Sequence, residues 1–174
     1  MTKKQKGFSL IELLIVVAII LIIAAIAIPN LLRSRMAANE ASAVGSIRTI
    51  NTAAISFNSL YGDGFPSTLA QVGTTGTAAV SCANAEYLDS LLTTGTKSGY
   101  TFAMVAGQTK VATVPAGCTA GFSDGYVTTA TPVTVGTTGQ RAFCSDASGV
   151  IRYNATGVAA QTSPNCTDTT ILGQ

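Results

Sequence analysis

The chain has 174 residues and a formal net charge of +2; charged residues make up only 10%, and histidine and tryptophan are absent. That length suits one domain with an appendage. So little charge argues against a nucleic-acid binder, which must present a basic face to phosphates, and the missing histidine removes the commonest general base and metal ligand.

Mean hydropathy is high for a soluble chain, and most of the excess lies near the N-terminus. Residues 8–28 read FSLIELLIVVAIILIIAAIAI, in which Ser9 and Glu12 are the only residues that are not apolar. As a helix this run spans roughly 30 Å, the thickness of a bilayer core. No polar face recurs between Leu13 and Ile28, as a soluble amphipathic helix would require, so the run reads as membrane-spanning. Ahead of it lie Lys3, Lys4 and Lys6 and no acid. Positive flanks stay in the cytoplasm, which places the rest of the chain outside.

All four cysteines (Cys82, Cys118, Cys144, Cys166) fall in that outer part. An even number in an oxidising compartment points to two disulfides. Three pairings are open, and the nearest-neighbour choice, Cys82–Cys118 with Cys144–Cys166, is the expectation. Without histidine or a C-x-x-C pair, no zinc or haem site is expected.

A secretory signal is one reading of the leader, since Ala24, Ala25 and Ala27 offer a small-residue cleavage site. Glu12 speaks against it. A carboxylate near a helix centre costs about 2.5–3.5 kcal/mol on insertion scales, so an acid inside an apolar span calls for a function and a partner.

The stretch Lys6-Gly7-Phe8-Ser9-Leu10-Ile11-Glu12-Leu13, continued by the apolar run to Ile28-Pro29, resembles the class III signal of type IV prepilins and pseudopilins. The resemblance implies that a prepilin peptidase cuts between Gly7 and Phe8 on the cytoplasmic side and then methylates the amine of Phe8. It implies that the apolar run becomes the core of a filament, with Glu12 answering the Phe8 amine of a neighbour and setting register. The chain would reside in the bacterial inner membrane before assembly and in an extracellular pilus afterwards. Its partners would be copies of itself, the peptidase and methyltransferase, and inner-membrane assembly machinery with an ATPase. Burying this run is worth tens of kcal/mol per subunit, at about 25 cal/mol per Å². Leaving lipid costs a comparable amount, which is why outside work is expected.

Beyond the run, Met36, Ala43, Ile47, Ile50, Ala54, Phe57 and Tyr61 recur at helical spacing among polar residues. The pattern predicts one helix from about Ser9 to Leu60, roughly 80 Å long at 1.5 Å per residue. Pro29 should kink it. Arg33, Arg35, Glu40 and Arg48 read as a solvated face or as subunit-contact charges. Glycines 62 and 64 and Pro66 should end the helix.

The outer region predicts a short helix over 67–72 and a second capped by Asn84 and running to Leu92. Alternation at Tyr100, Phe102 and Met104 predicts a half-buried strand. Residues 126–130, followed by Pro132, read as an edge strand. Arg141–Ser145 and Val150–Tyr153 flank the turn Asp146-Ala-Ser-Gly149 as a hairpin, and Lys110–Val114 reads as an extra strand. The expected fold is α+β: a long N-terminal helix packed on an antiparallel sheet of about four strands. Five segments follow: a leader at 1–7, a transmembrane or filament-core helix at 8–28, an amphipathic continuation at 29–61, a helix-to-sheet loop region at 62–98, and the sheet with the C-terminal disulfide region at 99–174. The stretches SGYTF and CSDASGVIRYNATG are similar to those of type IVa pilin heads.

No nucleophile, base and orienting group stand out together, so neither an enzyme nor a cofactor is expected. Asp124 and Asp146 on glycine-rich loops read as Asx turns in preference to calcium ligands. Aromatics are absent between Phe8 and Phe57, which argues against conduction along a filament core. The leading function is a type IV pilus subunit, for motility, adhesion or DNA uptake, with nucleic acid left open as something the filament touches. Two alternatives stand beside it: a pseudopilin of a type II secretion system, and a signal-anchored surface module that never polymerises.

Overall fold

A computed structural model describes residues 7–62, 64–74, 76, 79–107, 118, 122–159, 161–162, 165–166 and 170–172. The chain divides into two compact units, Met1–Arg35 and Met36–Gln174. The α+β architecture is the one observed; the strand expected at Lys110–Val114 lies outside the described residues.

The first unit is the opening stretch of helix α1 (Leu10–Tyr61). Every large apolar side chain from Leu10 to Leu32 is exposed. The helix runs through Pro29, whose missing N–H leaves the carbonyl of Ala25 without its helical donor.

The second unit is built on the rest of α1. Glu40, Ala43, Ile47, Ile50, Asn51, Ala54 and Phe57 are buried along one face, at the spacing of three or four that keeps a helical stripe on one side. After α1 come β1 (Phe65–Pro66), α2 (Leu69–Val72), α3 (Ser90–Thr93), β2 (Thr96–Lys97), β3 (Tyr100–Ala106), β4 (Phe122–Ser123), β5 (Tyr126–Pro132), β6 (Ala142–Asp146), β7 (Ile151–Asn154), β8 (Gln161–Thr162), β9 (Asn165–Cys166) and β10 (Thr170–Ile171). The main sheet is antiparallel, with order β10-β7-β6-β5-β3-β2. It has two more strands than expected, because the short β2 and β10 add to its two edges.

The sheet turns one face to α1. Tyr100, Phe102 and Met104 of β3, Tyr126 and Ala130 of β5 and Phe143 of β6 join Ile47, Ile50 and Phe57 in one core. Phe57 meets Phe122 edge-on, with ring centroids 5.2 Å apart, a favoured aromatic geometry. The other face carries a smaller cluster of Val127, Cys144 and Cys166. There β9 packs across β5 and β6.

That second layer overturns the reading of β5 as an edge strand. It pairs with β3 on one side and β6 on the other, and it is buried on both faces. Pro132 signals an edge only when it sits inside a ladder. Here it is the terminal residue, opposite Tyr100, where a missing N–H is tolerated.

The helix expected from Asn84 begins later. Asp89 is the cap, accepting from the Leu92 amide at 2.8 Å, while Asn84 forms an isolated bridge with Ser81. In α2 the Gln71 side chain accepts from the amides of Ser67 and Thr68 at 2.6 and 3.3 Å, the return half of a capping box. The hairpin between β6 and β7 closes with Gly149 at φ +75° and its amide on the Asp146 carbonyl at 2.9 Å. A left-handed residue there favours glycine.

Candidate functional site

Two places carry chemistry that the sequence singles out. The first is the entry to α1. Gly7 and Phe8 precede the helix and are exposed, Phe8 at 78%. Ser9 stands just before the first helical residue, and its amide donates to Glu12 Oε2 at 2.9 Å. A glutamate three residues past the cap is the return half of a capping box and sits well in the positive field of a helix N-terminus. The free Glu12 carboxylate retains acceptor positions beyond the one that Ser9 uses. Glu12, Phe8 and Gly7 thus lie within six consecutive residues, at the exposed entry to an apolar helix.

Among the described residues α1 is long and apolar enough to cross a membrane, and the apolar window is not covered by the rest of the chain. A soluble helix buries such a surface inside its own fold. This one leaves it for lipid or for another molecule.

The second place is the seam between α1 and the sheet. Glu40 is 8% exposed. It accepts from the amides of Gln140 and Arg141 at 2.9 and 3.1 Å, and from the Arg141 guanidinium at 2.8 Å through Nε and 2.7 Å through its terminal nitrogen. Arg141 in turn lies 5.5 Å from the Phe143 ring centroid and 5.2 Å from that of Tyr153. Burial alone would raise the Glu40 pKa. The two amides and the guanidinium outweigh it, and the carboxyl titrates below its ordinary value. Expected on a solvated face or at a subunit contact, Glu40 is instead the pin that holds the segment before β6 onto the helix.

About three turns further along, Asn51 donates to Ser145 Oγ at 2.8 Å and accepts from the Tyr126 hydroxyl at 3.1 Å. The network is buried, and burial pushes the Tyr126 hydroxyl up to about 12. The Tyr100 hydroxyl donates to the Arg141 carbonyl at 2.7 Å. These polar pins fix the register of helix on sheet, because buried polar groups must meet their partners.

Sequence reading passed over both pins, although the signal was present. The series Met36, Ala43, Ile47 skips position 40, and the residue standing there is the glutamate. A charged residue on the apolar stripe of an amphipathic helix calls for a partner.

The cysteines pair as Cys82–Cys118 and Cys144–Cys166, each with Cα atoms 5.7 Å apart. Asp146 forms an Asx turn: its Oδ1 accepts from the Ser148 amide at 2.9 Å and hydroxyl at 2.6 Å. Asn154 does the same with Thr156, at 2.9 and 2.7 Å. Asp124 is exposed beside β5. Among the described residues no three metal-ligating side chains cluster.

Residues 2–28 match the family described as the prokaryotic N-terminal methylation motif. This is the methylation motif of prokaryotic prepilins. Gly7, Phe8, Glu12 and the apolar run all fall inside the matched residues. The chain is also similar to the type IV wide pilus major component PilA4 of Thermus thermophilus, 63% identical over 38 residues, which covers 22% of this chain and 29% of that relative. It is similar to the type IV major pilin protein PilA of Myxococcus xanthus, 46% identical over 54 residues, 31% of this chain and 24% of that relative. The chain therefore matches less than a third of the length of these relatives. No solved structure matches significantly.

Proposed function

We propose that this chain is the structural subunit of a type IV pilus, held in the inner membrane by α1, cut after Gly7, methylated on Phe8 and polymerised into an extracellular helical filament. The observation that carries the reading is the methylation motif leading directly into an apolar helix that the chain does not cover. The similarity to a type IV wide pilus major component and a type IV major pilin supports it.

The physical logic runs from charge to packing. Cleavage before Phe8 creates an α-amine beside the apolar segment. That amine and Glu12 are each costly in an apolar surrounding, and pairing across neighbouring subunits removes part of the cost while selecting one axial register. Sister helices then bury the apolar surface that lipid held before, and the hydrophobic effect holds the polymer. The partners in this scheme are copies of the chain, the prepilin peptidase and methyltransferase, and an ATP-driven inner-membrane assembly machine that supplies the work of extraction.

Intact mass and N-terminal sequencing of filaments sheared from cells test the proposal. The expected subunit starts at methylated Phe8 and is lighter by about four hydrogen masses for two disulfides. A subunit that starts near Ala27, or one that keeps its N-terminal lysines, overturns it.

A further inference from the structure

The second unit carries two opposite charges that find no ion-pair partner among its described residues. Arg48 is exposed on α1. It lines a cleft of about 330 Å³ with Ala41, Val44, Arg141 and Leu172, and with Glu40 engaged by Arg141. The cleft therefore offers an apolar bed of small side chains and one guanidinium with no carboxylate to meet. Glu86 is exposed as well; its carboxylate accepts from the Thr74 hydroxyl at 3.4 Å.

Glu86 also holds a left-handed backbone, with φ 59°, which side-chain-bearing residues seldom adopt. Consecutive amides hold it there. Ala85 donates to the Gln71 carbonyl, Glu86 to Gly73, and Tyr87 and Leu88 to Val72, all at 2.9–3.1 Å. The chain is thereby fixed in a strained turn that presents an acid at the surface, beside the half-exposed Tyr87 and ahead of Leu91 of α3, 59% exposed. Backbone strain of this kind persists where the surroundings over-determine it, and it concentrates at functional positions.

The two features lie at opposite ends of the sheet. Leu172 follows β10, the strand at one edge. Glu86 is bonded to the end of α2, which packs on α3, and α3 packs on β2 at the other edge. A knob at one edge and a socket at the other form a heterologous contact. Such contacts, when the rotation does not close, generate open helical polymers.

We propose that Glu86 of one subunit seats in the cleft of the next and pairs with its Arg48, with Tyr87 and Leu91 covering the apolar bed. The occupant is a second copy of this chain, chosen by complementary charge and apolar surface at opposite sheet edges. The inference rests on the filament reading above. It adds a lateral contact between heads to the packing of apolar helices, and it makes that contact directional.

Charge reversal tests it in cells that make the full chain. Glu86→Arg and Arg48→Glu are each expected to lower the yield of sheared filaments by about tenfold or more, because like charges facing across an interface are strongly disfavoured. The double variant, which restores opposite charges, is expected to recover most of the yield. The membrane-resident pool, probed for amount and for both disulfides on non-reducing gels, should match wild type throughout. Wild-type yield from both single variants overturns the inference, as does a double variant that is no better than the singles with a normal membrane pool. Either result leaves the filament reading standing, whereas wild-type cells that yield no filaments of this chain overturn the filament reading itself. If vesicles of anionic lipid, and not a second copy, bind the purified chain through Arg48, the cleft has a different occupant and the inference fails.

Discussion

Glu40 shows how much one side chain decides. It is the point where α1 meets the segment before β6, with two amides and the Arg141 guanidinium on one carboxylate. Hydrogen bonds to a charged group are worth about 1.5–3 kcal/mol, but the Arg141 side chain is 39% exposed, so solvent screening reduces its share. Glu40→Ala is expected to destabilise the second unit by about 1–3 kcal/mol, read as a lower midpoint in near-ultraviolet circular dichroism of the full chain in detergent. That probe follows the tyrosines, which all lie at or beyond position 61, and ignores the apolar helix. The folded pKa is lowered from its ordinary value of 4.5, so Glu40 stabilises the fold fully above that value. The contribution is lost as pH falls from 4.5 through the lower folded pKa. Midpoints measured below pH 4.5 should therefore fall more steeply in wild type than in Glu40→Gln. Parallel acid limbs would mean that this carboxylate is not the group responsible. Reading the sequence as a stripe of apolar residues missed this role because it counted what fitted the stripe and not what interrupted it.

The elements show where local patterns suffice and where they fail. The alternation in β3 is legible because only one of its faces is buried. The same test fails for β5, where both faces are covered and alternation vanishes. The covering piece, β9, is two residues long and has no periodicity to read. It is attached by Cys144–Cys166, which closes a sequence separation of 22 and contributes about 3 kcal/mol by loop-closure entropy. Replacing both cysteines with serine should release the C-terminal segment ahead of the rest. Limited proteolysis followed by mass spectrometry is expected to find cuts after residue 154 while α1 and β3–β7 resist. Cleavage no faster than in wild type would show that β9 is held by its packing alone. The start of α3 was misplaced for a related reason. Asn84 and Asp89 are both acceptable caps by residue type, and only the tertiary hydrogen bonds of residues 85–88 to α2 decide between them.

At the scale of the molecule, the sequence separates two solvents cleanly. The run 8–28 is legible without any structure because nothing else in the chain approaches its composition. The seam between α1 and the sheet is not, because it depends on residues about 100 positions apart, such as Glu40 and Arg141. Glu12 belongs to this scale too. Its contact to Ser9 is a cap worth about 1 kcal/mol, small in a helix of 52 residues. Glu12→Ala should therefore leave the helix formed and the chain in the membrane, yet abolish sheared filaments. Cell fractionation beside filament recovery checks both halves. Filaments at wild-type level would remove Glu12 from assembly.

Both faces of β5 are occupied, one by α1 and the other by β9. β9 is joined to β6 by a bond that does not depend on the shape of the side chains around it. Substitutions in the final segment can thus redraw the exterior of the head while the register of helix and sheet stays as it is. The covalent tether thus separates what the outer layer demands of its side chains from what the helix–sheet seam demands.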